Sequence, residues 1–391
     1  MASDAKKMSV TASYSKRALS SSVAGSTLFQ SELIYYTAKT QQTKNFVISP
    51  ISLRSLLTIL SIAVIRDPHA EILTVLGMKS THQGIQEYKG CRNASRDDFT
   101  FSLHNSIYLD VRFEIDLTFK TICLEQFQTR PINLTFENRE DVVRNVNEWI
   151  AEQTEQQIKS RITIDSLDAM QHNLFVNIAH FESKWRKTFP KKFLAKGDFW
   201  LTRTEKISID MMHDFCELQV GDFDDLKVTA MLIPYRNMDV KLLILLPREI
   251  DGLVKLEQEL KDQRVDLTSL MTMMKAKIVK LGLPRLKLET NLLMNEVLME
   301  MGIRAIFKDS IDFTRLLAVF NVMRISQIRH ISAIEFNEEG TSAAVTKVSF
   351  LLTEMENCTV INIDRPFFFA VLDLERIYFG GHITNTSNFL T

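Results

Sequence analysis

The order of helix-like and strand-like patterns along this chain predicts an α+β fold. Helical periodicity fills most of the first half, and strand signals dominate the second half without a regular β-α-β alternation. The composition, 45% hydrophobic and 24% charged over 391 residues, is typical of a soluble globular protein with a sizeable core. With 12 Gly and 8 Pro, long linkers are not expected. We therefore predict one domain over residues 26–391, preceded by a flexible extension over 1–25.

Three segments of the first half carry the helical prediction. Residues 26–40 place apolar side chains on one helical face, namely Leu28, Phe29, Leu33 and Tyr36. Ser49 and Pro50 supply a cap and a first-turn proline for an almost wholly apolar helix, which we expect to be buried. Residues 141–162 show an apolar stripe beneath a polar face, as in a surface helix; the stripe consists of Val142, Val146, Trp149 and Ile150.

Three apolar segments of the second half predict strands, at residues 239–247, 277–288 and 362–383. Helical patterns interrupt them at residues 252–260 and 291–303, and Gly302 ends the second of these. The mixture supports the α+β assignment.

The charge balance and the motif content exclude several classes of function. The 47 basic and 48 acidic residues give a net charge of −1, so neither nucleic acid nor a membrane is expected as a partner. Phosphate-binding loops, metalloprotease motifs and serine-hydrolase motifs are missing, and the eight histidines lack metal-ligand spacing. We predict no metal site, no cofactor and no enzymatic activity.

The remaining single residues are interpreted structurally. The four cysteines lie far apart and are expected to be unpaired, partly buried thiols: Cys91, Cys123, Cys216 and Cys358. His330 lies in an apolar stretch, where the pattern favours a hydrogen-bonded structural histidine over a catalytic base.

Four N-glycosylation sequons favour a secreted glycoprotein, although the N-terminus has no apolar signal-peptide core. The sequons begin at Asn93, Asn133, Asn357 and Asn385.

The stretch NEEGTSAAVT, residues 337–346, is strand-capable but carries unusually small side chains. Together with other segments in the same order, it resembles the serpin family from about residue 28 to 385. These segments are NFVISPISL, VNEWIAEQTEQQI, LFVNIAHFESKW, IPYRNMDVKLLILLP, LPRLKLE, MGIRAIFKDSIDFTRL and DRPFFFAVLDLERIYFGGHI. The resemblance implies three β-sheets, about eight or nine helices and an exposed reactive-centre loop over about residues 338–362.

The same resemblance implies roles for particular residues. A hinge at the start of the loop comprises Glu338, Glu339, Gly340, Thr341, Ser342, Ala343, Ala344, Val345 and Thr346. A buried polar cluster beneath the opening strands, which holds the sheet closed, comprises Ser49, Ser52, Asn177 and His330. Glu338 and Arg285 match a charge pair where the loop enters the sheet, with Trp185 beside it.

The resemblance also implies a covalent acyl complex with a target serine protease, formed by a monomeric, metastable inhibitor. The position of the reactive bond is found by counting residues along the loop. Counting forward from Gly340 gives Glu354, and counting back from Pro366 gives Met355. Without Arg or Lys nearby, a chymotrypsin- or elastase-like target is favoured over a trypsin-like one. Residues 77–101, which correspond to the family's third and fourth helices, carry few basic residues, so a heparin-type glycosaminoglycan is not expected to bind there.

One residue leaves a second function open. Lys347 lies on the strand face of Thr341, Ala343 and Val345, which turns inward after insertion, and a buried unpaired ammonium opposes that step. A non-inhibitory serpin that acts as a binding, carrier or signalling protein is therefore the alternative.

Overall fold

The computed structural model describes residues 21–92, 99–168, 171–236, 239–309, 311–338 and 358–390. These residues contain nine α-helices: α1 (Ser21–Thr40), α2 (Pro50–Ala63), α3 (Arg66–Val75), α4 (Thr81–Arg92), α5 (Leu117–Phe127), α6 (Arg139–Gln153), α7 (Leu253–Asp262), α8 (Leu267–Leu270) and α9 (Asn295–Met301). None of the helices in the described ranges combines the length and apolar character needed to cross a bilayer.

Sixteen strands lie in the same ranges. They are β1 (Phe46–Ile48), β2 (Phe99–Asp110), β3 (Ile132–Leu134), β4 (Asn173–Ser183), β5 (Leu194–Trp200), β6 (Lys206–Phe223), β7 (Val228–Pro234), β8 (Lys241–Pro247), β9 (Lys275–Pro284), β10 (Leu286–Leu293), β11 (Ile311–Asp312), β12 (Val322–Met323), β13 (Gln327–Phe336), β14 (Thr359–Asn362), β15 (Phe367–Leu372) and β16 (Ile377–Ile383).

The strands form three sheets, which confirms the α+β prediction. A nine-stranded sheet has the order β1-β16-β15-β8-β7-β6-β9-β14, with β5 paired to β6. A five-stranded sheet has the order β10-β13-β4-β2-β3, and β11 pairs with β12. In the five-stranded sheet, β13 and β4 are parallel neighbours, whereas β10 with β13 and β2 with β4 are antiparallel.

Helix α2 forms the centre of the core and begins as its sequence predicts. Ser49 is the cap, its side chain accepts a hydrogen bond from the Ser52 amide, and Pro50 opens the first turn. Every residue of α2 except Ile62 is buried, because the helix packs against both large sheets, through β2, β4 and β16, and against helices α1, α3, α4 and α5. The predicted burial of this apolar helix is confirmed.

Helix α6 is amphipathic, as predicted, but it ends at Gln153 and does not continue to residue 162. It buries Val142, Val146 and Ile150, while Trp149 is half-buried. The three buried side chains belong to a second apolar cluster on the outer face of the five-stranded sheet, separate from the main core. The sheet is therefore covered on both faces.

Some predicted boundaries differ from the structure. The apolar run 277–288 is two strands in two sheets, because the chain leaves the nine-stranded sheet after Pro284 and Leu286 pairs with Phe336 in the five-stranded one. The start of the predicted helix 291–303 is still strand β10, and α9 begins only at Asn295. Gly302 ends that helix with a φ of 111°, a left-handed conformation that favours glycine.

Helix α1 is buried more fully than its predicted stripe. Phe29, Leu33, Ile34 and Tyr35 are all nearly inaccessible, whereas Leu28 and Tyr36 are only half-buried. The helix begins at Ser21, inside the stretch that the sequence assigned to the extension.

Candidate functional site

The boundary between β4 and β13, here called the seam, is the central feature of the site. Its parallel register runs from Gln327 opposite Leu174 to Ala333 opposite His180. Both strands continue beyond this point, to Phe336 and Ser183, without pairing to each other. A cleft of about 280 Å³ is lined by residues of both strand ends. The sheet is thus closed along most of the seam and open at the end where β13 leads into residue 337.

The predicted polar cluster is assembled at the closed part of the seam. The Ser49 amide donates to His330 Nε2 at 2.8 Å, and His330 Nδ1 lies 2.6 Å from Asn177 Oδ1. Asn177 Nδ2 in turn donates to Ser52 Oγ at 2.8 Å. Ser49, Ser52, Asn177 and His330 are all fully buried. The cluster therefore joins α2 to both strands of the seam.

Two further members of this network were missed by the sequence interpretation. Asn105 of β2 lies opposite Asn177 and accepts a hydrogen bond from Asn177 Nδ2 at 2.7 Å. Its own amide donates to Ser55 Oγ at 2.9 Å. The available signal was an asparagine inside an apolar strand, because a buried amide requires partners on every side.

The surroundings of His330 fix its charge and its tautomer. Complete burial lowers the imidazole pKa from 6.5 to about 3, so the side chain is neutral at physiological pH. Because the Ser49 amide can only donate, Nε2 is the acceptor and Nδ1 carries the proton that is donated to Asn177. Both ring nitrogens are therefore occupied, which agrees with the structural interpretation of this histidine.

The predicted charge pair lies at the open end of the seam. Arg285 Nε is 3.4 Å from Glu338 Oε2, within ion-pair distance, and the Glu338 side chain is 10% exposed. Trp185 Nε1 donates to the carbonyl of Asn337 at 2.8 Å, and its ring stacks on Tyr235 with centroids 4.5 Å apart. The structure brings Trp185, Arg285 and Glu338 together at the last described residues before the loop.

The hinge after Glu338 and the reactive bond lie outside the described residues. This applies to Glu339, Gly340, Thr341, Ser342, Ala343, Ala344, Val345, Thr346, Lys347, Glu354 and Met355. The two ends of the segment are placed: the Phe189 amide donates to the Glu338 carbonyl at 2.9 Å, and Thr359 begins β14 on the edge of the nine-stranded sheet. Residues 339–357 therefore connect the five-stranded sheet to the nine-stranded sheet.

Two of the four sequons are described. Asn133 Nδ2 donates to the carbonyls of Asp110 and Phe113, at 3.2 and 2.8 Å. Asn385 Nδ2 donates to the carbonyl of Thr43 at 3.1 Å. Asn93 and Asn357 lie outside the described residues.

The described residues contain no group of three or more His, Cys, Asp or Glu side chains that could hold a metal ion. All four cysteines are unpaired, as predicted. Burial raises the thiol pKa of Cys91, Cys123 and Cys216 to about 12, which makes them poor nucleophiles at neutral pH.

Comparison with known proteins agrees with this geometry. The family model described as Serpin (serine protease inhibitor) matches residues 24–386. The chain belongs to the serpin family. The match spans nearly the whole chain and confirms the resemblance inferred from its motifs.

Individual relatives of this serpin include a protease inhibitor and a thyroxine-binding protein. Serine protease inhibitor 42Dd of Drosophila melanogaster is 26% identical over 359 residues, which cover 90% of this chain and 95% of the relative. The crystal structure of Serpin48 from the insect Tenebrio molitor has a TM-score of 0.83 at 24% identity, covering 93% and 98% of the two chains. The crystal structure of human thyroxine-binding globulin in complex with thyroxine has a TM-score of 0.79 at 20% identity, again covering 93% and 98%.

Proposed function

We propose that this serpin is a suicide inhibitor of a serine protease, which acts by insertion of its cleaved loop into the seam. The observation that carries the proposal is that β4 and β13 are parallel neighbours whose mutual pairing stops at Ala333 and His180, before β13 reaches the start of the loop. A segment that leaves β13 after Glu338 and folds back runs antiparallel to both strands. Insertion then replaces one parallel pairing by two antiparallel pairings, which are slightly more stable per residue.

Formation of the covalent complex with the protease requires no catalytic residue from the serpin. The protease serine attacks the carbonyl carbon of the reactive bond, the peptide bond breaks, and an ester joins the protease to Glu354 or Met355. Cleavage frees the hinge end of the loop, which enters the seam and carries the tethered protease with it. Inhibition succeeds when insertion is faster than hydrolysis of the ester.

The small hinge side chains support this proposal. Gly340 supplies backbone freedom for the reversal of direction, and the side chains from Thr341 to Ala344 pass between two packed strands at little steric cost. The polar cluster opposes premature opening, because separating β4 from β13 breaks the His330–Asn177 contact and leaves buried polar groups unpaired.

The target is proposed from the residues around the reactive bond. No Arg or Lys occurs between Val348 and Asp364, so the pocket of a trypsin-like protease has no basic side chain to bind. Leu351, Leu352 and Met355 suit a chymotrypsin- or elastase-like pocket. We propose a secreted, monomeric glycoprotein, with no heparin-type cofactor.

The presence of Lys347 in the hinge-proximal loop favours the second candidate, a non-inhibitory binding or carrier protein. In the register that places Thr341 opposite Phe336, an inserted Lys347 lies opposite His330, which faces the buried polar cluster. Both nitrogens of that imidazole are already occupied, so the ammonium finds no acceptor there. If this cost raised the insertion barrier by ~2.7 kcal/mol, insertion would slow about a hundredfold, and the ratio of inhibited complex to simply cleaved serpin would fall by the same factor.

Incubation with chymotrypsin or elastase separates the two candidates. The inhibitor forms a complex with the protease that survives boiling in detergent, whereas a carrier is only nicked in the loop. A catalytically inactive protease, with its nucleophilic serine replaced, is the matched control and forms no such complex.

A further inference from the structure

A cavity of about 600 Å³ lies beside β2, on the side of the five-stranded sheet away from the seam. It is here called the edge cavity. Strand β3 pairs with β2 only from Tyr108 to Asp110, so it leaves space beside residues 101–106. Side chains of α4, α5 and the C-terminal part of α6 close that space on its other sides. The volume lies in the range of pockets that bind small molecules.

One wall of the edge cavity is apolar. Tyr88 of α4 and Phe127 of α5 contact each other there, with ring centroids 5.1 Å apart, and Trp149 of α6 is half-buried beside them. Leu124 and Ile132 also line the cavity, yet 49% and 38% of their surface stays exposed. Folding therefore leaves apolar surface in the cavity that an apolar ligand would bury.

The lining of the edge cavity has charge of one sign. None of the described residues that line it is Asp or Glu, whereas Arg130 is exposed and lines it. The Arg130 guanidinium has no hydrogen-bond or ion-pair partner among the described residues. Gln128 and Gln153 add amide donors. An unpaired guanidinium is well suited to bind a carboxylate, because its planar donors match the two carboxylate oxygens.

We propose that the edge cavity binds an apolar monocarboxylate. The apolar body of the ligand packs against Leu124, Ile132 and Trp149, and its carboxylate pairs with Arg130. A ligand with one negative charge matches a lining that offers one arginine and no carboxylate. The site is separate from the seam and from the loop, so this inference goes beyond the proposed function and does not depend on it.

The test uses decanoate, below its micellar concentration, titrated into the protein. Binding is followed by calorimetry and by the fluorescence of Trp149, one of three tryptophans in the chain. We expect saturation at one decanoate per chain, with a change in fluorescence that Trp149→Phe abolishes. 1-Decanol has the same chain without the charge and should bind about fivefold more weakly, the effect of losing an exposed charge pair.

Two substitutions separate the charged contact from the apolar one. Arg130→Gln should weaken decanoate binding about fivefold and leave 1-decanol binding unchanged, whereas Arg315→Gln, at an exposed arginine elsewhere, should change neither. Leu124→Ser should weaken both ligands about tenfold, because it removes apolar contact area. Leu374→Ser, at a leucine of similar exposure outside the cavity, is its matched control. The thermal unfolding temperature of each variant is measured to verify that the fold is retained.

Three results would overturn the proposal. The first is the absence of saturable decanoate binding. The second is binding that both Arg130→Gln and Leu124→Ser leave unchanged, or a fluorescence change that persists in Trp149→Phe, since the ligand then lies elsewhere. The third is equal affinity of the unmodified protein for decanoate and 1-decanol, which would show that the carboxylate makes no contact with Arg130.

Discussion

His330 provides a quantitative prediction, because its pKa differs strongly between the folded and unfolded chain. In the unfolded chain the imidazole has a pKa near 6.5, and burial in the polar cluster lowers it to about 3. Between these values the unfolded chain binds a proton that the folded protein does not, so this contribution to stability is complete above pH 6.5 and is lost as the pH falls.

The size of the effect follows from the pKa difference. At pH 4.5 the unfolded imidazole is two pH units below its pKa, and each unit corresponds to about 1.4 kcal/mol. The loss of unfolding free energy between pH 7.5 and pH 4.5 is therefore about 3 kcal/mol for His330. Burial also lowers the pKa of His180 and His213, so all three histidines destabilise the fold in acid.

The assay isolates His330 by difference. The free energy of unfolding is measured by urea denaturation at pH 7.5 and 4.5 for the unmodified protein and for His330→Gln. His180→Gln, at a histidine outside the polar cluster, is measured for comparison. The stability advantage of the unmodified protein over His330→Gln should shrink by about 3 kcal/mol at the lower pH. If that advantage is the same at both pH values, the assignment of a neutral, acceptor-bearing imidazole is refuted.

Three further predictions concern the loop, its entrance and the sequons. Lys347→Thr should raise the yield of detergent-stable protease complex, measured by electrophoresis. Lys275→Thr, at an exposed position of β9, should leave that yield unchanged. Equal yields from the two variants would contradict the buried-charge argument. Arg285→Gln leaves Glu338 without its ion-pair partner. It should speed the uptake of a synthetic peptide of residues 340–350 into the seam, followed by native gel electrophoresis, about fivefold, which corresponds to about 1 kcal/mol, while Arg285→Lys should retain the slow rate. In protein secreted from eukaryotic cells, mass spectrometry should find lower glycan occupancy at Asn133 than at Asn385. Both carbonyl bonds of the Asn133 amide are partly buried, whereas the bond from Asn385 to the Thr43 carbonyl is exposed. Equal occupancy would show that these bonds do not limit modification.

The fold class was predictable from the sequence because the strongest patterns report burial. The Ser49-Pro50 start of α2 and the stripe of α6 both match the structure, since cap chemistry and helical periodicity are local properties. The division of residues 277–288 between two sheets was not predictable, because the apolar pattern continues across the change of partner at Pro284.

The candidate site was predictable only through the family motifs. Nothing local to His330 or Asn177 indicates that they meet, because the two residues are 153 positions apart and lie on different strands. The contact between Asn105 and Asn177 was not found at all, since it depends on which strands become neighbours. Register and the packing of segments over a sheet are tertiary properties that a single sequence does not encode in a readable pattern.

The central claim is that the seam between β4 and β13 can open and admit the loop as an additional strand. Its most direct test is the thermal unfolding temperature before and after the loop is nicked by chymotrypsin, with cleavage confirmed by mass spectrometry. The account predicts that the nicked protein melts at a markedly higher temperature, because the inserted strand adds two antiparallel pairings to the sheet. A nicked protein that melts at the temperature of the intact chain would contradict the claim.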